Sequence, residues 1–300
     1  LAAYKGDIDF ILTNTGNYVN LEASFGITRI ATMRAPTSVA AGNVFGAVIF
    51  SRADRKDIRT LSDLRGKSFM AVKRNGFGGF QMAWRELEEQ GIDPFSDFSK
   101  LRFSGFPQDV VAFKVESGEV DAGTFRTETL EKMSEEGKIK MSDFRILNPQ
   151  TPPGFPFALS TRLYPEWPFA KLKGTSDSLA QQVAIALLSM PPGGGAAKAG
   201  GYGGWTVPLD YQPVHDLFRV LRIGPYEDLG EITFDDIVKQ YGHWVLLGFF
   251  GLIIFAVWGT WTEYLVTRRT RELSNANREL EKEVIERERA EDEARQRQVE

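Results

Sequence analysis

Cysteine is absent from the 300-residue sequence, and histidine occurs only twice. The first absence excludes disulfide frameworks, thiolate metal sites and cysteine nucleophiles, and is compatible with either an oxidising or a reducing compartment. It also removes a lipid-anchor cysteine from this stretch of chain. The two imidazoles are His215, in "YQPVHDLF", and His243, at the edge of an apolar run. They give neither a histidine metal cluster nor a repeated acid/base motif, so both read as structural or interfacial. No catalytic residue and no metal ligand is assigned. An excess of one charge is lacking too: 36 Lys+Arg against 40 Asp+Glu leave a net charge of -4, with 42% hydrophobic residues. That balance describes a globular chain rather than a disordered or nucleic-acid-binding one, and the length calls for at least two structural units. "LAAYKGDIDF" has neither an initiator Met nor a charged-then-apolar leader, so a secretory signal is expected upstream of residue 1 and the chain reads as a fragment.

Charge disappears entirely between Trp244 and Thr262, "WVLLGFFGLIIFAVWGTWT". Extended to Val266, this run makes a helix of about 35 Å, enough for a hydrocarbon core of about 30 Å. Tyr241, Trp244, Trp258, Trp261 and Tyr264 stand where two interfacial aromatic belts would fall. The expectation is a transmembrane helix over 244–266. Arg268, Arg269 and Arg271 follow it, whereas Asp235 and Asp236 precede it with Lys239, so the C-terminal side is expected in the cytoplasm and residues 1–243 outside. The remaining stretch, 267–300, mixes both charge signs and contains neither Pro nor Gly, which favours one long solvated helix. Leu273, Asn277, Leu280 and Val284 recur at spacings of four, three and four, as the seam of a two-stranded coiled coil would. Arg287 and Glu291 then interrupt the seam, so a dimeric signalling helix is favoured over a single solvated one without excluding it.

The outer part alternates short apolar runs with helical patterns. "DIDFILT", "ITRIATM", "VFGAVIFS", "SFMAV", "KLRFSG", "VDAGTF" and "FRIL" read as strands. "GGFQMAWRELEEQG", "PQDVVAFKVESG", "RTETLEKMSEEG" and "SDSLAQQVAIALLSM" read as helices. The alternation predicts an α/β architecture with parallel sheet. Pro152, Pro153, Pro156 and Pro165 break up a chain that could be recrossing between two lobes, and "PPGGGAAKAGGYGGW" reads as a flexible surface loop.

One stretch asks for a reason. "RNGFGGFQMAW" places Gly76, Gly78 and Gly79 between a buried strand and an amphipathic helix. Such a turn lets backbone N–H groups approach an anion at a helix N-terminus; a tight turn needing positive φ explains the glycines equally well. Nucleotide motifs fail: Gln81 stands where GxGxxG needs its third glycine, no Walker lysine follows Gly79, and the Gly66-Lys67-Ser68 tripeptide has Leu61 in place of a first glycine. Two further strand ends lead into probable helices, through Asn14 and Thr15 and through Arg126 and Thr127. In open α/β sheets ligands bind beyond the carboxyl ends of the strands, so these loops could converge. Arg126 can grip an oxyanion with two parallel hydrogen bonds, or can be a solvated surface arginine; Thr124 and Thr127 can equally be strand-end and cap residues.

"AVKRNGFGGFQMAWRELEEQGIDP", "GEVDAGTFRTETLEKM", "FALSTRLYPEWPFAKL" and "GWTVPLDYQPVHDLFRVLRIGPY" resemble the periplasmic region of tetrathionate-sensing-type histidine kinases. That region is similar to phosphonate-type periplasmic solute-binding proteins. The resemblance implies a two-lobed, type II periplasmic-binding-protein-like α/β domain over 1–232, with its first strands missing because "GDIDFILTN" resembles the third strand of such a lobe. A juxtamembrane connector over 233–243, the membrane helix over 244–266 and a cytoplasmic coiled-coil helix over 267–300 would follow. It also implies ligand contacts by Asn14 and Thr15 on one lobe, and by Asn75, Gly76, Phe77, Gly78, Gly79, Thr124, Arg126 and Thr127 on the other. "RNGFGG" departs from the more serine-bearing loops of the group, where Asn75 and Phe77 replace hydroxyl donors. The implied ligand is a small oxyanion, with sulfur oxyanions such as tetrathionate or thiosulfate in view. The implied setting is a homodimeric, single-pass sensor kinase of the bacterial inner membrane that signals to a response regulator, with ATP and Mg²⁺ used by a kinase core beyond residue 300. The alternatives are a membrane-tethered solute-binding component of an oxyanion or phosphonate transporter and, last, a periplasmic enzyme.

Overall fold

The computed structural model describes residues 7–36, 42–228 and 234–299. Residues 1–6, 37–41 and 229–232 of the expected outer domain, position 233 of the connector and Glu300 lie outside the described residues. The chain separates into two compact units, Leu1–Leu229 and Gly230–Glu300.

In the first unit, β1 (Phe10–Leu12) leads into α1 (Thr15–Phe25). The helix begins where the sequence places it because Asn14, in extended conformation, accepts a hydrogen bond from the Asn17 N–H at 2.9 Å. It stops at Gly26, whose left-handed φ of 62° lets its N–H reach the Glu22 carbonyl. β2 (Thr28–Arg34) follows, then β3 (Val44–Phe45) and β4 (Ala47–Arg52). The run expected as one strand is divided at Gly46, where a Cβ would stand 2.3 Å from the Leu159 side chain. β5 (Ser68–Ala71) leads to a π turn, Phe77–Gln81, continuous with α2 (Met82–Glu89). Next come β6 (Lys100–Phe103), α3 (Asp109–Glu116), β7 (Ala122–Arg126), α4 (Thr129–Glu135) and β8 (Phe144–Leu147). β9 (Tyr164–Pro165) pairs with β3 as a two-stranded link. The chain returns through it to β10 (Pro168–Lys171), α5 (Asp177–Leu188), α6 (Gly195–Gly200), β11 (Gly204–Thr206) and α7 (Gln212–Leu221).

Beside the two-stranded link, the described residues form two larger sheets, one per lobe, in the orders β1-β10-β2-β11 and β6-β5-β7-β4-β8. The crossing at Pro165 matches the expected recrossing. The expected parallel sheet is corrected to a mixed one: β5 is parallel to β6 and β7, whereas β4 runs against β7 and β8, and the first lobe's pairs are antiparallel. A βαβ crossover gives parallel neighbours; β4 and β10 instead enter their sheets from the inter-lobe link and so oppose their neighbours. The glycine-rich segment expected as a flexible loop carries α6 and β11, with Trp205 paired to Met33 on β2.

Alternation along β4 shows how the second lobe closes on both faces. Val48 and Phe50 join one core with Met70, Val111 and Phe125, while Ile49 joins the opposite core with Phe69, Phe80 and Leu87. The first lobe is packed around Tyr18, Ile27, Tyr211, Leu217 and Phe218, and Phe77 from the glycine-rich turn reaches into that same cluster. His215 is structural, as its sequence context indicates: Nδ1 lies 2.9 Å from the Tyr226 hydroxyl and Nε2 2.9 Å from Glu22 Oε2, pinning the end of the lobe onto α1.

The second unit is a single helix, α8 (Phe234–Val299), with the stretch Gln240–Lys282 long and apolar enough to cross a membrane. The large apolar side chains of the expected span, among them Trp244, Phe255 and Trp258, are exposed. A bilayer is the medium that such a surface suits. The helix runs unbroken through the described residues of the expected connector and tail.

Asp121 ties the starts of β5 and β7 together. Its carboxylate accepts from the Ser68 N–H at 2.8 Å and the Ser68 hydroxyl at 2.7 Å, and pairs with Arg55. Burial pushes its pKa up, but the Ser68 and Arg55 bonds outweigh burial and hold it below the usual range. A carboxyl depressed on folding stabilises the native state above its unfolded pKa of about 3.9 and loses that contribution as pH falls toward the folded value. Asp121→Asn should therefore lower the melting temperature at pH 7, and the deficit should shrink as melts are repeated toward pH 3.

Candidate oxyanion site

β5 ends against the glycine-rich turn. The Val72 N–H donates to the Gly79 carbonyl at 3.1 Å, and the N–H groups of Phe80 and Gln81 both donate to the Gly76 carbonyl, at 2.9 and 3.0 Å. Gly76, Gly78 and Gly79 all avoid the left-handed region, so a need for positive φ does not explain them. Close approach does. A Cβ on Gly79 would stand 2.9 Å from Val72 Cβ, and one on Gly78 would stand 2.8 Å from the Phe45 ring and 3.1 Å from Arg126 Cβ. The opening N–H groups of the turn, from Phe77 to Gly79, have no acceptor within the helix.

Arg126 is the last residue of β7, on the sheet face that meets this turn. It does not enter a helix as expected. The chain first passes through Glu128 at φ 74°, and α4 starts at Thr129. The Arg126 guanidinium lies over the Phe45 ring, 4.6 Å from its centroid, and Nη2 donates to Glu166 Oε1 at 2.6 Å. Across the site, α1 presents its own N-terminus, and Gly16 lies so close to Phe77 that a Cβ would be 3.0 Å from that ring. Two helix N-termini, each carrying partial positive charge, thus approach one space.

A cavity of about 370 Å³ occupies it. Of the residues expected at the site, Asn14, Asn75, Gly76, Phe77, Gly78, Gly79 and Arg126 line this cavity together. Three do not. Thr15 is buried and donates to the Pro165 carbonyl at 3.0 Å, fastening α1 to the link. Thr124 is buried inside β7, with no hydrogen-bond partner for its hydroxyl among the described residues. Thr127 accepts from the Gly46 N–H at 3.3 Å and faces an adjoining cavity of about 320 Å³. The Thr15 and Thr127 hydroxyls thus bond the link and the Gly46 amide beside it, while that of Thr124 bonds neither.

The wall also holds residues that sequence reasoning did not select: Phe45, Val72, Lys73, Phe106, Gln108 and Trp167. Phe106 and Gln108 follow β6, so the rule that ligands bind beyond strand ends could have found them; Trp167 stands in the quoted "YPEWPF". Lys73 Nζ lies 5.2 Å from the centroid of the Phe106 ring, which is 72% exposed. Glu166, beside Trp167, is fully buried. Its N–H donates to the Asn43 carbonyl at 2.9 Å, its carbonyl accepts from the Tyr211 hydroxyl, and its Oε2 receives the Trp167 N–H at 3.3 Å. Burial raises the pKa of Tyr211, and that of Tyr164 next to Arg85 is pushed up to about 12, so both phenols stay protonated. Glu128, in the adjoining cavity, is raised by burial and by the nearby Glu166 charge, against the pull of Arg126. Among the described residues no cluster of three or more His, Asp or Glu could hold a metal ion. The geometry offers backbone amides, one planar cation and an aromatic wall. It suits binding a small anion.

The model of the family described as "ABC transporter, phosphonate, periplasmic substrate-binding protein" matches residues 2–211. The chain belongs to this family. The tetrathionate sensor histidine kinase TtrS of Salmonella typhimurium is 35% identical over 228 residues, which make up 75% of this chain and 37% of that protein. The chain therefore spans little more than a third of that relative's length. Among solved structures, XAC2383 from Xanthomonas citri bound to ATP superposes with a TM-score of 0.58 at 21% identity, covering 73% of this chain and 81% of the other. PhnD1 from Prochlorococcus marinus in complex with methylphosphonate gives 0.54 at 14% identity, covering 74% and 81%. These likenesses establish the periplasmic-binding-protein fold: the two lobes with their cleft.

Gly78→Ala tests the close approach directly. The added methyl meets the Phe45 ring and the Arg126 stem, and overpacking of this kind should destabilise by about 1–3 kcal/mol in denaturant melts. Gly137→Ala, where a Cβ meets nothing within 4 Å but φ is 70°, serves as the comparison for pure backbone strain.

Proposed function

We propose that the outer domain is the ligand-sensing part of a two-component sensor histidine kinase. It binds a small oxyanion between its lobes and signals through α8 to a cytoplasmic kinase core. The observation that carries this reading is the approach of the Phe77–Gly79 turn, the α1 N-terminus and Arg126 to one cavity, in a chain whose curated relative is a sensor kinase rather than a free binding protein. A sulfur oxyanion such as tetrathionate or thiosulfate is the first candidate ligand, because the relative's name specifies tetrathionate. Residues 1–243 are then periplasmic, α8 crosses the inner membrane once, and Arg268, Arg269 and Arg271 mark the cytoplasmic side on which 267–300 pair as a coil in a homodimer. ATP, Mg²⁺ and a response regulator would engage the kinase region. Ligand can shift the signalling equilibrium only by its differential affinity for the open and closed lobes.

Calorimetric titration of the full chain in detergent with tetrathionate, thiosulfate and methylphosphonate tests the binding step. Arg126→Ala should weaken the anion that binds by about one to three kcal/mol, the loss expected for a charge-assisted hydrogen bond. Unchanged affinity removes Arg126 from the site, and failure of all three anions to bind removes the oxyanion reading.

The second reading, a membrane-tethered solute-binding protein of a transporter, is favoured by the family description itself. The two separate on the tail. Replacing 273–300 by an unrelated soluble segment should abolish a ligand-dependent response if the chain is a sensor and leave uptake intact if it serves a transporter.

A further inference from the structure

The cavity beside the glycine-rich turn is larger than one oxyanion needs. It measures about 370 Å³, within the range of about 300–1,000 Å³ that holds whole small molecules. A water's share of liquid volume is about 30 Å³, so a single compact tetrahedral anion leaves most of the space unfilled. Of the rings on its wall, Phe45 and Phe77 are buried and lie in edge contact with one another. Phe106 and Trp167 differ. The first is largely exposed and the second half-buried, so both keep free surface for a ligand. They also belong to opposite lobes. Phe106 follows β6, where the Gly105 N–H donates to the Val72 carbonyl at 2.8 Å, whereas the Trp167 carbonyl accepts from the Met33 N–H of β2 at 2.9 Å.

Charge decides which way an extended ligand runs. The adjoining cavity, which shares Arg126 and Gln108 with this one, sets four carboxylates, Glu128 and Glu166 among them, against three cations. A second anionic group gains nothing there. In the main cavity the other cation is Lys73, whose Nζ lies 5.2 Å from the Phe106 centroid and which has no carboxylate partner among the described residues. A ligand anchored at Arg126 and the turn therefore extends past Phe106 toward Lys73.

We propose that Phe106 and Trp167 are the specificity-determining residues of this cavity: they hold the uncharged middle of the ligand from the two lobes and so select extended oxyanions over compact ones of equal charge. The inference rests on the anion-binding reading above and deepens it. An aromatic face offers an anionic end no hydrogen bond, but it packs well against polarisable divalent sulfur or apolar carbon. A compact anion held by Arg126 and the turn leaves both rings in water; an extended one covers them. Contact with Trp167 requires a ligand that reaches from one lobe to the other, so the ring that discriminates by length also gives that ligand its added affinity for the closed arrangement.

Tetrathionate and thiosulfate are the probes. Both are doubly charged, but thiosulfate is a single tetrahedral group, whereas tetrathionate carries two sulfonate ends joined through a pair of divalent sulfurs. In calorimetric titrations of the full chain in detergent, each ring should favour tetrathionate by about threefold or more, so the wild-type chain is expected to bind it about tenfold more tightly than thiosulfate. Phe106→Ala and Trp167→Ala should each shrink that ratio about threefold, and Phe106→Tyr, which keeps the ring, should retain it. A wild-type chain that binds thiosulfate as tightly as tetrathionate overturns the inference and leaves the oxyanion reading standing. So does an unchanged ratio in either alanine variant whose thermal melt shows it folded, and so does a Phe106→Tyr chain that loses the ratio as fully as Phe106→Ala. Phe106 lies largely in solvent, so its truncation leaves the cores intact and the test decisive. Binding of neither anion overturns the inference, and methylphosphonate then decides the oxyanion reading.

Discussion

The close approach of the glycine-rich backbone to its neighbours is the constraint from which the site follows. Where β5 gives way to α2, the backbone must pass close to Val72 on one side and to Phe45 and Arg126 on the other, and only residues without a Cβ can do so. The consequence is more than packing. Because the turn comes this near, its unpaired N–H groups, Phe45 of the inter-lobe link and the terminal arginine of β7 border one space. The π turn extends the same logic: Met82 N–H reaches back to Phe77, and Phe77 itself is delivered into the first lobe's core, in edge contact with Phe45 at 6.2 Å and Tyr164 at 5.2 Å between ring centroids. One short segment therefore helps join the lobes and build the cavity between them.

The charges obey a related economy of space. Placing a carboxylate wholly inside a protein is unfavourable unless it is paired and hydrogen-bonded, and removing one partner of such a pair leaves the other uncompensated. Glu166 meets both conditions through Arg126 and the Trp167 amide. The pair joins the second lobe's β7 to the segment between the link and β10. Arg85 plays a parallel part farther along α2, donating to the Tyr164 hydroxyl at 3.2 Å and the Pro213 carbonyl at 3.4 Å.

Much of this was legible in the sequence because it is local. Asn14 as a cap, the strand runs "SFMAV" and "FRIL", the helix after the glycines and the apolar span all depend on neighbours a few residues apart, which periodicity and capping rules capture. What escaped was set at long range. The direction of β4 depends on a crossing that ends more than a hundred residues later, at β9. The orientation of the Thr15 hydroxyl depends on Pro165, and the state of Arg126 depends on Glu166, forty residues away. A lone arginine at a strand end reads as a free cation until its partner is known. The glycine-rich stretch before Trp205 misled for the opposite reason. Its composition favours a loop, but pairing of Gly204, Trp205 and Thr206 with β2 supplies the order that propensity withholds.

The two units ask different things of the same apolar chemistry. In the outer domain, large side chains such as Phe50, Phe69 and Phe218 are removed from water by one another, and the lobes are stable objects with a cleft between them. In α8, Phe249, Phe255 and Trp258 remain exposed, a surface that suits a bilayer. A helix held in this way is free to slide, tilt or rotate for a modest cost, whereas a packed core moves only between discrete arrangements.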